Sequence, residues 1–230
     1  MRNRFSKVFR RWRLKKIHAR FLESCRNLND GRAYWDQASR FRRWVLETIS
    51  PLPLLGLHED GQRLLEALQW LEANCRERAL QEEVVRHYHK LVFMKSSSEA
   101  GSYRKHDIEI ERSAIRRKPG QKVPSGMKAL DSWLRTCQEA CDAMKPRDEE
   151  RVLKLAVETH HKIGLIHPFV DANGRVARLA MNHLLRRYGL GYVIYPALSE
   201  SPAFWDALQE AHNGRISSLL EFARTCVQQV

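Results

Sequence analysis

The run HPFVDANGRVAR, from His167 to Arg178, gathers an imidazole, a carboxylate, a carboxamide, a glycine and two guanidiniums into twelve residues. The His167 ring can accept a proton near neutral pH. Asp171 is a hard oxygen ligand of the kind that holds Mg2+ against phosphates. At Asn173-Gly174 the backbone can lie close to a ligand, because glycine has no Cβ to hold it off. Arg175 and Arg178 are three apart and so project from one side of a helical first turn. Paired guanidinium forks of this kind grip phosphate oxygens. Each residue alone has a plainer role: His167 a helix cap, Phe169 a core ring, Asp171 an N-cap, the arginines a solvated face. Packing does not require all of them in one loop. Together they describe phosphate transfer, in which a polyphosphate is gripped, its charge neutralised and an incoming hydroxyl deprotonated.

The surrounding pattern places this run between two helices. HHKIG closes one and RVARLAMNHLL opens the next, so the polar residues meet a helix start with its free N–H groups and positive dipole end. Leu64, Leu65, Leu68, Leu71 and Cys75 recur at helical spacing from Gln62 onward. Leu80, Val84, Val85, Tyr88, Leu91 and Val92 mark a second helix, and Met127 to Met144 a third. Asp148 suits the cap of a fourth, with Val152, Leu153, Ala156, Val157 and Ile163 as its core face. Leu179, Met181, Leu184 and Leu185 resume helical periodicity after the motif, with Gly189 as the stop. Ser201-Pro202 opens a helix ending near Gly214, and Leu219, Leu220, Phe222 and Val227 form a last one. SPLPLLGLHEDG, residues 50–61, reads as a connection. Asp107 to Glu111 alternates as D-I-E-I-E, which predicts a short strand in a hairpin closing near Lys118–Gly120. The expected fold class is all-α with one short β-hairpin.

Charge is concentrated at one end. The chain of 230 residues has a formal net charge of +13, yet residues 1–20 hold nine Lys or Arg and no acid. The rest carries 31 basic against 27 acidic side chains and is nearly neutral. That balance argues against a body built to coat nucleic acid, and no sequence-specific nucleic-acid contact is expected. Residues 1–22 interleave the cations with Phe5, Val8, Phe9, Trp12, Leu14, Ile17 and Phe21, but on two opposed helical sides. They read either as a segment binding anionic membrane or as a basic leader docked on the body. The expected division is 1–45 as this basic segment, helical or partly disordered, and 46–230 as the catalytic domain. Five cysteines with no CxxC pair, no secretory leader and no membrane-length apolar run predict a cytoplasmic protein, or one delivered into another cell's cytoplasm.

The motif also resembles the signature of the Fic family of AMP transferases, HxFx(D/E)(G/A)N(G/K)RxxR. His167, Phe169, Asp171, Ala172, Asn173, Gly174, Arg175 and Arg178 meet every specified position. AGSYR, from Ala100 to Arg104, with the predicted hairpin, resembles that family's flap. The resemblance implies a Fic-type helical bundle that takes AMP from Mg-ATP to a Ser, Thr or Tyr hydroxyl of a target protein. It implies His167 as general base and Asp171 as the Mg2+ ligand. Phe169, Asn173, Gly174, Arg175 and Arg178 would then serve the nucleotide, with Asn173 and Gly174 as the anion hole. Tyr103, Arg104, Ile108 and Ile110 would belong to a flap that registers the target chain as an added strand. Gly174, where kinase-like relatives have Lys, favours nucleotidyl transfer.

Many relatives carry an inhibitory (S/T)xxxE(G/N) helix. Only Ser217–Glu221 has the spacing here, and Phe222 follows it in place of Gly or Asn. Upstream, Glu47-Thr48 has Arg43 where Ser or Thr is required. No built-in inhibitor is evident, and restraint, if any, would come from a separate antitoxin-like chain or from delivery into another cell. Other donors, namely UTP, GTP or a phosphocholine diphosphate, fit the same site. A catalytically idle membrane- or nucleic-acid-binding module is a second class of function. A metal hydrolase using His160, His161 and His167 is a third, weakened because adjacent helical residues point apart.

Overall fold

The computed structural model describes residues 57–93, 98–108, 117–144, 148–193, 195 and 201–228. The basic segment 1–45, Glu47-Thr48 and Ile110 lie outside them. The described residues form seven α-helices: α1 Leu57–Asn74, α2 Glu82–Val92, α3 Val123–Asp142, α4 Glu149–Ile166, α5 Asn173–Arg187, α6 Pro202–His212 and α7 Ile216–Thr225. The fold is the expected all-α bundle. No described helix is long and apolar enough to cross a membrane.

α4 and α5 pack together most extensively and form the centre. α5 is buried around most of its circumference, through Val176, Ala177, Leu179, Ala180, Met181, Leu184 and Leu185. Its buried polar residues are paired, as a low-dielectric interior requires. Asn182 Oδ1 accepts from Val193 N–H (2.8 Å) while its Nδ2 donates to Val193 O (3.1 Å). His183 lies 2.9 Å from Arg78 O through Nε2 and 2.7 Å from the Tyr88 hydroxyl through Nδ1. A carbonyl only accepts, so Nε2 carries the proton and Nδ1 accepts from the tyrosine. Arg186 pairs with Glu72 at 2.7 Å, joining α5 to α1.

The local signals act as their chemistry predicts. Asp148 caps α4 by accepting from Arg151 N–H at 3.0 Å. Ser201 caps α6 by accepting from Phe204 N–H at 3.2 Å, with Pro202 in the first turn. α5 stops at Arg187, and Leu190 N–H reaches back to Leu185 O at 2.9 Å.

Three expectations are corrected. Leu57–Gly61 is helical, not connecting: a glycine lowers helix preference by only about 1 kcal/mol, less than the apolar face beyond it returns. Val227 does not extend the last helix. With Gln228 it forms β2, which pairs antiparallel with β1, Tyr192–Val193. Two-residue strands have too little alternation to be read, and their partner lies far along the chain. Lys118–Gly120 is a foot of the flap loop, not its turn. Gly120 N–H donates to Asp107 Oδ1 at 2.7 Å, and a Cβ on Gly120 would lie 2.4 Å from Lys105 O. Asp107 and Ile108 are irregular, and the rest of the loop, 109–116, is outside the described residues.

Leu80, just before α2, is fully buried, and the Gln138 side chain takes up both of its peptide groups, at 2.9 Å and 2.8 Å. Gln138→Ala leaves that N–H and C=O unpaired and should lower unfolding stability by about 2–4 kcal/mol. Urea denaturation measures this, and a loss under about 1 kcal/mol would show that the pair does not hold the α2–α3 junction.

Candidate functional site

The loop from His167 to Ala172 joins the carboxyl end of α4 to the amino end of α5. Both bounding residues are in left-handed backbone, His167 at φ 49° and Ala172 at φ 61°, and neither is glycine. Such backbone costs a residue with a Cβ about 1 kcal/mol or more, and strain of this sort concentrates at functional sites. For Ala172 the cost of the φ angle is close to the value of its buried methyl, about 0.8 kcal/mol, so alanine is tolerated there.

Side-chain hydrogen bonds offset the strain. Asn173, 3% exposed, closes the loop on itself: its Oδ1 accepts from Phe169 N–H (2.9 Å) and its Nδ2 donates to Phe169 O (2.8 Å). Asp171 Oδ1 accepts from Ala172 N–H at 2.6 Å. His167 N–H bonds Ile163 O at 2.8 Å, and its carbonyl accepts from Arg104 Nε at 2.7 Å. The first ladder bond of α5 runs from Val176 N–H to Ala172 O at 3.0 Å. The N–H groups of Asn173 and Gly174 therefore precede the ladder, at the kind of helix end that suits an anion.

Gly174 is exposed, its φ is not positive, and nothing lies within 4 Å of where a Cβ would stand. The fold does not demand glycine there, whereas a ligand seated on the helix end would. Arg175 reaches the carboxyl end of α2, donating from Nη1 to Val92 O at 3.1 Å. Arg178 lies within electrostatic reach of His160 and Tyr195 on the other flank. The two arginines leave one side of the first turn but lean toward different neighbours.

His167 is half-buried. Burial, then the nearby Arg117 guanidinium, hold its pKa down at about 4, so the ring is neutral at pH 7. Burial likewise lowers His161 and His212 to about 4, and these two rings meet at 3.0 Å. His160 is buried against Tyr195, with ring centroids 5.1 Å apart. The adjacent His160 and His161 thus point apart. Among the described residues no three His, Cys, Asp or Glu side chains gather into a metal site.

Other expected site residues are placed differently. Phe169, grouped with the nucleotide contacts, is 0% exposed and stacked on His89 at 3.9 Å, so it holds the loop to the core. Tyr103 and Arg104, expected to meet a docked chain, are turned inward. Tyr103 packs 5.6 Å from Phe169 with Arg86 over its other side, and Arg104 is buried. Of the four flap residues only Ile108 is described and partly exposed outside these packed contacts. Glu221 is exposed and its charge bears on Arg224 of its own helix, while Leu219 and Leu220 are buried. That placement is of a helix packed through its leucines. Sequence reasoning missed His89 and Arg117. His89 sits at a helical core position and gave no separate sign, and Arg117 lies in a basic run that resembles solvated surface.

The helical frame thus presents a helix start beside a neutral imidazole. Residues 79–185 match the sequence model of the Fic/DOC family. It is similar to the protein adenylyltransferase Fic of Nematostella vectensis, 24% identical over 192 residues, 81% of this chain and 42% of that protein. The Drosophila ananassae protein of the same name is 30% identical over 138 residues, 57% of this chain and 24% of that protein. The chain spans less than half the length of these curated relatives. Two solved structures share the fold. Fic-1 (aa134–508) from C. elegans has a TM-score of 0.64 at 20% identity, covering 97% of this chain and 74% of that one. A Fic domain containing signaling protein from Bacteroides thetaiotaomicron has a TM-score of 0.64 at 20% identity, covering 96% and 86%.

Gly174→Ala separates folding from binding. Stability should hold or rise by about 0.5 kcal/mol, because alanine is the better helix former and meets no atom. Affinity for inorganic triphosphate should fall by about tenfold or more. Thermal melts and calorimetry check the two halves, and unchanged affinity would show that the ligand does not seat on this helix end.

Proposed function

We propose that this chain is a protein adenylyltransferase that moves AMP from Mg-ATP to a Ser, Thr or Tyr hydroxyl of a target protein, with residues 46–230 as the catalytic unit. The observation that carries the proposal is a neutral His167 at the edge of a helix start whose Gly174 faces open space. The acceptor oxygen attacks the α-phosphorus of ATP, forming the new P–O bond. The bond to the β-bridging oxygen breaks and pyrophosphate leaves. His167 takes the hydroxyl proton as the nucleophile forms.

The N–H groups at Asn173, Gly174 and Arg175 receive the phosphates' charge, and the helix dipole adds to them. Arg175 starts from an anchored position at the end of α2, so little ordering is needed when it meets the β-phosphate. Arg178, further round the same turn, would orient the γ-phosphate. Asp171, half-buried at the start of α5, fits a Mg2+ that arrives with the nucleotide. Mg2+ is commonly held by one or two carboxylates plus substrate phosphates. The ion would supply charge neutralisation across those phosphates.

UTP, GTP and phosphocholine diphosphate are the competing donors. Any restraint would come from a separate inhibitory chain, since Glu221 is turned toward solvent. Contact with anionic membrane through residues 1–22 would add a location without changing the chemistry. A catalytically idle binding module is the alternative of a different class.

Incubation with each labelled donor and a lysate should mark a protein band most strongly from ATP, and His167→Ala should reduce labelling by about 100-fold or more. Labelling by His167→Ala equal to that of the wild type would refute the mechanism. The acid limb of kcat/KM should lie near pH 4, not 6.5, because the free enzyme's base has its pKa at about 4 and works unprotonated. A pH profile with circular dichroism alongside, to mark any acid unfolding, measures it.

A further inference from the structure

We propose that Arg104 is a positioning residue that couples the feet of the 107–120 loop to His167; the inference rests on the transfer reaction above. Its side chain sits in a shell of main-chain carbonyls and is only 3% exposed. Nε donates to His167 O (2.7 Å), Nη1 to His106 O (2.7 Å), and Nη2 to both Ile166 O (3.3 Å) and Lys118 O. Its own backbone N–H bonds Pro168 O at 2.9 Å.

Ile166 O and His167 O lie at the carboxyl end of α4, where a helix leaves its last carbonyls without intrahelical donors and carries the negative end of its dipole. A guanidinium there satisfies the carbonyls and favours the left-handed backbone of His167, which is otherwise strained. His106 O and Lys118 O belong to the two feet of the loop, which Asp107 also ties through Gly120 N–H. One planar, rigid fork therefore bonds the helix end and both feet at once. A shift of either foot, at His106 or Lys118, therefore moves the group that sets the His167 backbone. Lysine, a single flexible donor head, cannot reproduce the four bonds. The phosphate-facing groups start from α5, and the far end of the active-site loop is held separately by Asn173. Arg104 should therefore act on transfer without acting on nucleotide binding.

The test compares Arg104→Lys, Arg104→Ala and Asp107→Ala in the full chain. For both Arg104 variants, Kd for ATP by calorimetry should stay within about twofold, while kcat for transfer falls by about 100-fold, the scale of a 1 Å misplacement. Added methylguanidinium should restore part of the Arg104→Ala loss. In Arg104→Ala, which removes one of the cations that lower it, the His167 ring followed by NMR should titrate above that of the wild type. Asp107→Ala, which frees one foot and leaves the Arg104–His167 bond, should raise KM for the target more than it lowers kcat. Should Arg104→Ala fail to fold, Arg104→Lys and Asp107→Ala still decide. Wild-type kcat in Arg104→Lys would overturn the proposal. If the wild-type protein transfers nothing, the reaction is wrong, and the NMR titration still tests whether Arg104 sets His167.

Discussion

Two helix ends of opposite polarity meet in the loop between α4 and α5, and their unpaired peptide groups must be satisfied for the chain to turn there. α4 arrives with orphan carbonyls and α5 leaves with orphan N–H groups. The carbonyls at Ile166 and His167 are met from inside the protein, by a buried guanidinium from a distant segment. The first turn of α5 instead meets the exterior at an exposed glycine. The fold thus closes one helix end from within and brings the other to the surface, where the proposed phosphate site would lie. The left-handed turns at His167 and Ala172 allow the chain to reverse in so few residues, and the Asn173–Phe169 bonds hold that reversal closed.

Desolvation sets the electrostatics of this arrangement. Burial lowers the pKa of His167, and the Arg117 and Arg104 guanidiniums lower it further, while Asp171 opposes them only in part. A neutral ring amid cations is stable without ligand and ready to take a proton once polyphosphate brings negative charge close. On the proposed reaction, an anion arriving at α5 would raise the basicity of the ring that acts on the acceptor, through the same field that binds the anion. Binding and base strength are linked by position, with no conformational change required.

How much of this was legible in the sequence depended on the range of the interaction. Caps at Asp148 and Ser201, the helical periodicities and the motif itself are local and could be read directly. The motif's residue types indicated the chemistry because packing has no use for so many polar groups in one loop. Interactions reaching far along the chain were hidden. Arg104 and His167 are 63 positions apart and His89 meets Phe169 across two helices, so neither contact leaves a periodic trace. Tyr103 and Arg104 looked like surface residues because their neighbours are polar, whereas the structure turns both inward. The β1–β2 pair escaped for a related reason: two residues per strand carry no pattern, and Asn182, which pins β1, sits in a helix where its side chain gave no sign of its partner.

The polar residues of α5 divide along its length in a way that fits a helix serving two ends. Toward its carboxyl end, Asn182, His183 and Arg186 are each tied to another element, namely β1, the Arg78 carbonyl with Tyr88, and Glu72. These pairings fix the helix against rotation and sliding. At its amino end the side chain of Asn173 is committed to the loop, and Arg175 donates to a carbonyl of α2. Rigidity is therefore greatest away from the site and is transmitted to it by the helix itself. A first turn held in this way needs little internal packing of its own, which is why Gly174 can remain bare and the peptide groups around it can stay turned toward a ligand.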